Sequence, residues 1–355
     1  MMKSNDVNSG AVQPQIPERA PAIIYRSFGG PEVLELTEVP VSGPGPDEVL
    51  IRHTAISVNF SDVNARRGGF YIGQDNPEAV IPGNEAVGVV VAAGINAEGY
   101  AVGDRVAYVG MGGAFFANSG SYATYRTVPA SRLIRVPDGL ADSDIAAVLM
   151  KGMTASAAIN RFYKPGAGET VLIHGATGGV GLILVQWAKH CGARVFGTVG
   201  STAKAEVVRS YGCDEPILYR EVNFVDRVRE LCPQGVDVVY DGVGGETFMA
   251  SLDCVRPFGK LINYGNVSGP LPSVNLMLLS AKGSLSIGRV GVTDHIKSPE
   301  DYQSVAAELF SLCLSGAIRP CVQAILPLGE AATAHQMLES HQKAGSIILV
   351  PEQYF

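Results

Sequence analysis

The run Thr170-Val171-Leu172-Ile173-His174-Gly175-Ala176-Thr177-Gly178-Gly179-Val180-Gly181 reads as an apolar strand, a glycine-rich turn and the start of an apolar helix that reaches His190. A strand that opens through glycines onto a helix is the setting in which a dinucleotide pyrophosphate is bound. Against the pattern G-x-G-x-x-G, the marked positions are Ala176, Gly178 and Gly181. Gly178 lets the backbone approach a pyrophosphate, and Gly181 lets the helix lie close on the strand. The helix N-terminus adds free N–H groups and the positive end of its dipole. The expected phosphate cradle is therefore Ala176, Thr177, Gly178, Gly179, Val180 and Gly181. Alanine at the first position is tolerable if that residue keeps a negative φ.

Outward from this turn, strand and helix alternate. Strands are expected at Arg194–Val199, 216–219, 236–240 and 260–264, with a helix at 203–211. Their spacing implies a parallel, doubly wound α/β sheet with helices on both faces. The second strand ends at Val199-Gly200-Ser201. A binder of the unphosphorylated dinucleotide places an acid there for the ribose 2′-OH. Gly200 stands in its place, with Ser201 and Lys204 just after it, so the expected cofactor is NADPH.

Residues 21–140 are different in kind. Short runs rich in Val, Ile and Leu alternate with Gly/Pro clusters such as Phe28-Gly29-Gly30-Pro31, which predicts an antiparallel barrel or sandwich. Residues 142–162 read as helix in two pieces broken at Gly152. After Ser284 come two amphipathic helices, at 301–315 and 331–342, and a strand at Ser346–Val350. This last part is too short for a domain of its own and is expected to rejoin the first one.

Composition limits the classes available. At roughly 150 residues per domain, 355 residues make two domains. With 46% hydrophobic and 17% charged residues the chain is not disordered. Its net charge of −7 argues against nucleic acid or an anionic membrane as partner. The cysteines, at 191, 213, 232, 254, 313 and 321, contain no C-x-x-C and read as reduced thiols, in keeping with the cytoplasm. Residues 1–20 lack an apolar core and carry Asp6 and Glu18, which predicts a flexible tail rather than a targeting signal. Residues 171–188 are about as long as a membrane span, but they contain His174 and four glycines.

Several landmarks together resemble the medium-chain dehydrogenase/reductases, and within them the zinc-independent, zeta-crystallin-like NADPH:quinone oxidoreductases. They are Phe28-Gly29-Gly30-Pro31-Glu32-Val33-Leu34, Val58-Asn59-Phe60-Ser61-Asp62, Pro82-Gly83-Asn84-Glu85, Lys151-Gly152-Met153-Thr154-Ala155, the glycine turn, Tyr219-Arg220-Glu221, Tyr240-Asp241-Gly242-Val243-Gly244 and Tyr264-Gly265-Asn266. The resemblance runs from about Ala22 to Val350. It implies a GroES-like β-rich catalytic domain at 21–145 and 288–355, and a Rossmann domain at 146–287. Zinc-dependent relatives have a Cys at or beside the place of Asn59, and Gly-His-Glu where Gly83-Asn84-Glu85 stands. Glu85 alone cannot make a catalytic zinc site, which takes three protein ligands, so no metal is expected.

The resemblance also implies site residues. Asn59 and Asp62 lie near the nicotinamide end, Thr154 beside the nicotinamide, and Tyr264 and Asn266 on the same side. Tyr219 and Lys204 lie near the 2′-phosphate. Tyr71 is either a proton donor or a wall of the pocket; the catalytic set is then Tyr71, Asn59 and Asp62. Where the family often has an arginine reaching the 2′-phosphate, this chain has Glu339-Ser340-His341, and His341 can help only when protonated. The loop at 110–121 is long for the family, and Phe115 and Phe116 either line the substrate mouth or tuck onto the surface. The implied activity is reduction of quinones or other conjugated carbonyls. The alternatives are a 2-enoyl-thioester or enone/alkenal reductase, and a dinucleotide-binding structural or sensing protein with little turnover. The family further implies a homodimer through the Rossmann edge near 284–287.

Overall fold

The computed structural model describes residues 16–69, 78–110, 119–342 and 344–351. The chain begins with β1 (Arg19–Ile24), β2 (Glu35–Pro40) and β3 (Glu48–Val58), then helix α1 (Phe60–Arg66). Strands β4 (Glu85–Ala93), β5 (Arg105–Val109), β6 (Tyr125–Pro129) and β7 (Ile134–Arg135) follow. Helix α2 (Asp142–Ser156) leads into β8 (Thr170–Ile173), α3 (Gly179–His190), β9 (Arg194–Val199), α4 (Thr202–Ser210) and β10 (Glu215–Leu218). The alternation continues through α5 (Phe224–Leu231), β11 (Val236–Asp241), α6 (Phe248–Ser251), β12 (Val255–Asn263), α7 (Leu276–Ala281) and β13 (Ser286–Arg289). The chain ends with α8 (Val292–His295), α9 (Pro299–Leu314), β14 (Val322–Pro327), α10 (Ala331–Ser340) and β15 (Ser346–Val350).

Two sheets carry the structure. One has six strands, all parallel, in the order β10-β9-β8-β11-β12-β13. Counted from β8, that is the 3-2-1-4-5-6 order of the dinucleotide fold, whose ligand cleft lies beyond the C-terminal ends of the central strands. Val171, Leu172 and Ile173 of β8 are all buried, as a strand covered on both faces requires. Pro216 is accommodated because β10 is an edge strand.

The other sheet has seven strands in the order β14-β15-β3-β4-β5-β7, with β6 also paired to β3. Its interior is a separate core of Ile23, Val49, Ile51, Val90, Tyr108, Tyr122 and Ile347 among others. Strand β15 pairs antiparallel with β3, Ile347 opposite Val58 and Leu349 opposite Ile56. The C-terminal segment thus rejoins the first sheet beside the end of β3 that delivers Asn59.

Two expectations are corrected. Arg19 and Ala20 pair with Pro40 and Val39 in the first ladder, so the first strand begins before residue 21. Helix α2 also runs unbroken through Gly152. Gly152 is small because α9 crosses there: a Cβ would lie 2.5 Å from Leu309 Cδ1 and Cδ2. The irregularity comes later, as a π-helical turn at Ala157–Phe162.

Candidate active site

The glycine turn is built from its backbone. Gly175 takes the left-handed conformation (φ 64°), and Gly178 N–H donates to Gly175 O at 2.8 Å. The residue needing a positive φ is therefore Gly175, and Ala176 can be alanine. Its buried methyl fills the space beside Gly197, where a Cβ would lie 2.8 Å from Ala176 Cβ. A Cβ on Gly181 would lie 2.2 Å from Gly175 O, so only glycine lets α3 start this close to the turn. The first helical bond runs from Leu182 N to Gly178 O. The N–H groups of Gly179, Val180 and Gly181 precede it and form the positive end of α3. This cradle suits a pyrophosphate.

At the end of β9 the expected residues converge. Ser201 caps α4, accepting from Lys204 N at 3.4 Å. A Cβ on Gly200 would stand 3.1 Å from the Tyr219 hydroxyl and 3.5 Å from Arg220 Nε. Lys204 is pulled below the usual lysine range by burial and then by the nearby Arg220 cation. The Arg220 cation beside the place where Gly200 replaces an acid, with Lys204 close enough to feel its charge, suits the dianionic 2′-phosphate of NADPH. Arg220 was not among the expected site residues. Its only signal in the sequence is its place directly after Tyr219.

His341 reaches this end of the cleft in an unexpected way. It is the left-handed cap of α10 (φ 50°), its ring stacks on Phe60 with centroids 6.0 Å apart, and its carbonyl accepts from Lys204 Nζ. Burial and then the Lys204 charge lower its pKa below the usual imidazole range. The neutral ring is thereby favoured, and His341 contributes a carbonyl rather than a charge.

The opposite wall is a buried polar cluster around the N-terminus of α1. Asn59 N donates to Asp62 Oδ2 at 2.9 Å, and Asn59 Nδ2 donates to Glu85 Oε1 at 2.8 Å. Glu85 Oε2 accepts from Met150 N at 2.8 Å. Lys151 Nζ donates to Ser57 Oγ at 2.6 Å and lies 3.8 Å from Glu85 Oε1. Asp62 is fully buried and also accepts from Asn84 Nδ2 and the Tyr122 hydroxyl, each at 3.2 Å. Burial outweighs those bonds and pushes its carboxyl up to about 7. Behind it, the Tyr122 hydroxyl lies 3.1 Å from His335 Nε2.

Thr154 stands one turn beyond Lys151 on α2, with its hydroxyl on Met150 O at 2.9 Å. The Tyr264 hydroxyl donates to His174 O at 3.2 Å, and its ring covers Gly242, where a Cβ would lie 2.4 Å away. Asn266 packs on Gly244 of the loop after β11. Two contacts join the polar cluster to the glycine turn: the Lys151 stem lies against Gly179, and Gly345 N donates to Thr177 O at 3.1 Å. Tyr71, Phe115 and Phe116 lie outside the described residues.

The donor set does not fit a catalytic zinc ion. Asn59 and Asn84 offer amides, and Glu85 is occupied by Asn59, Met150 and Lys151. Among the described residues, no three His, Cys, Asp or Glu side chains are grouped to hold a metal.

Comparison with known proteins agrees with this architecture. Residues 45–138 match the alcohol dehydrogenase GroES-like domain, and residues 179–311 match the zinc-binding dehydrogenase family. A quinone oxidoreductase of Pseudomonas aeruginosa is 40% identical over 337 residues, covering 94% of this chain and all of that protein. A 2-haloacrylate reductase of Burkholderia is 37% identical, covering 93% of this chain and 98% of that one. The structure of Escherichia coli quinone oxidoreductase with NADPH superposes with a TM-score of 0.87 at 36% identity, covering 94% of this chain and all of that one. With this fold, this cradle and these relatives, the chain belongs to the zinc-independent quinone oxidoreductase family of the medium-chain dehydrogenase/reductases.

Proposed function

We propose that the protein is an NADPH-dependent reductase of quinones and related conjugated carbonyls that works without zinc. The pocket at the end of β9 carries the cofactor assignment: Gly200 takes the place of an acid, facing Tyr219 and Arg220 with Lys204 beside them. The acceptor class rests on the quinone oxidoreductases that cover nearly the whole chain. Bound in the cradle, NADPH supplies hydride from C4 of its nicotinamide to the acceptor.

The protein's own residues bind and orient. The start of α3 holds the pyrophosphate, and Lys204, Arg220, Tyr219 and Ser201 hold the 2′-phosphate. Thr154, Tyr264 and Asn266 flank the nicotinamide, and Asn59 faces the acceptor. Asp62 is a positioning residue, because its buried carboxylate caps α1 and thereby fixes Asn59. Holding two reactants in register is a large share of such catalysis. Protons for a reduced quinone come from solvent or from Tyr71. Tyr71→Phe is expected to cost quinone turnover less than the roughly 10²–10⁴-fold of a required general acid.

The relative named for 2-haloacrylate, an unsaturated acid, supports a second reading as an enone or enoyl-thioester reductase. Loss of NADPH absorbance with quinone, enone and crotonyl-thioester acceptors separates the two. Binding of NADPH without turnover of any acceptor would favour a structural or sensing role instead.

A boundary at 287 would divide β13, whose Gly288 and Arg289 pair with Ile262 and Asn263, so we assign residues 146–289 to the NADPH-binding unit, and 19–145 with 290–355 to the catalytic unit. A cytoplasmic homodimer is the expected state. Strand β13 ends the parallel sheet with Ile287 exposed, and Leu276 and Met277 of α7, the helix before it in the chain, are each 72% exposed, which supports pairing at that edge. Light scattering that gives a monomer mass would exclude it. Neither nucleic acid nor membrane is an expected partner, and no helix among the described residues is long and apolar enough to cross a bilayer.

A further inference from the structure

Lys151 is a charged residue in the middle of an apolar helix face, 8% exposed, between Ile145–Leu149 on one side and Met153 on the other. Such a residue is retained only where its charge and its stem both have partners. Every element packed on it supplies one. Its ammonium donates to Ser57 Oγ of β3 at 2.6 Å and lies 3.8 Å from Glu85 Oε1 of β4. Asp62 of α1 is the other acid whose field it feels. Its stem lies under the glycine turn: a Cβ on Gly179 would be 2.5 Å from Lys151 Cδ and 2.8 Å from Cε. Ser346 Oγ of β15 closes the same spot, 3.4 Å from that Cβ position.

We propose that Lys151 is a positioning residue with two separable duties: its stem supports Gly179 in the cofactor cradle, and its ammonium is the counter-charge that holds Glu85, and through Glu85 the Asn59 amide, on the acceptor side. The assignment rests on the NADPH reading of the cleft. Glu85 Oε1 receives both the Lys151 charge and the Asn59 Nδ2 bond, so losing the cation leaves a buried carboxylate uncompensated beside Asn59. Burial draws the Lys151 ammonium below the usual lysine range, and Glu85 and then Asp62 act against that, so the charge is kept by the acids it faces.

The test separates stem from head. Lys151→Met keeps the stem and removes the charge. It is expected to leave the NADPH dissociation constant, measured by fluorescence titration without acceptor, within about threefold, while kcat falls by about tenfold or more. Lys151→Ala removes both and is expected to weaken NADPH binding as well. The double variant Lys151→Met with Glu85→Gln removes the stranded carboxylate and is expected to recover most of the lost kcat. If Lys151→Met does not fold, the double variant is compared with Glu85→Gln alone, and the double is expected to be the more active. A wild-type kcat in Lys151→Met, or a loss of kcat and NADPH affinity together with no recovery in the double variant, would overturn the assignment. Turnover is read with whichever acceptor the wild type reduces. A wild type that binds NADPH but reduces only enones therefore counts against the quinone reading and not against Lys151.

Discussion

Lys204 and Arg220 lie within each other's field at the end of β9, with Arg220 Nε 3.5 Å from where a Cβ on Gly200 would stand. In the proposed pocket each would make a charge-assisted contact with the 2′-phosphate, worth about 1.5–3 kcal/mol. Lys204→Ala or Arg220→Ala is thus expected to weaken NADPH by roughly 10- to 100-fold and to leave NADH nearly unchanged. Equal losses for both cofactors would mean that the side chain acts on folding. Gly200→Asp is expected to shift preference toward NADH, with the added side chain displacing the Tyr219 hydroxyl 3.1 Å away. Of this pocket, Tyr219 came from the resemblance, whereas Gly200, Ser201 and Lys204 were legible in the sequence, because the fingerprint fixes where the second strand ends. The parking of Lys204 on the His341 carbonyl was not, since 137 residues separate them and no local pattern records the contact. Asp62 gives a pH prediction. Its folded pKa, about 7, lies above the ordinary 3.8, so between these values the folded state holds the extra proton. Stability from this group is therefore present at low pH and is lost as pH rises through about 7. Asp62→Asn is expected to flatten that decline, so the urea midpoint of the wild type should drop more from pH 5 to pH 8 than that of the variant. An equal drop in both would contradict the assignment.

At the scale of elements, periodicity and turn residues located α3, β9 and β15 to the residue. Those segments have clear strand or helix periods and are flanked by glycine or proline. Helix α2 defeated the same reasoning. Gly152 weakens a helix by about 1 kcal/mol relative to alanine, which reads as a break when only the helix itself is considered. What the sequence does not display is Leu309 of α9 lying against it. The position therefore makes an inverted prediction. Gly152→Ala should lower the melting temperature despite its better helix propensity, because overpacking a core costs about 1–3 kcal/mol. Shortening Leu309 to alanine in that background should return part of the loss. A melting temperature raised by Gly152→Ala alone would show that the helix crossing has slack.

Over the whole molecule, the two sheets are joined through α2, which packs on β3, β4 and β15 and also on α3, so that one hydrophobic core runs between them. Gly345 on Thr177 and Lys204 on His341 each join the catalytic side to the cofactor side. Strand β15, which starts directly after Gly345, returns to β3 and so brings the first of these contacts into place. The general plan was legible from the change of pattern near residue 140 and from the resemblance. The interlocking was not, because it consists of contacts between distant segments. The amide-rich replacement for a metal centre predicts that the purified enzyme carries no stoichiometric zinc and keeps its activity after chelation. About one zinc per chain, with activity lost to the chelator, would require ligands that this cluster does not offer. The central claim is an acid-free, cationic cofactor pocket feeding hydride to a conjugated carbonyl, and it is tested most directly by the ratio of kcat/KM for NADPH to that for NADH with a naphthoquinone acceptor. A preference for NADPH of about tenfold or more is expected from one charge-assisted phosphate contact. Equal use of the two cofactors, or a preference for NADH, would contradict it.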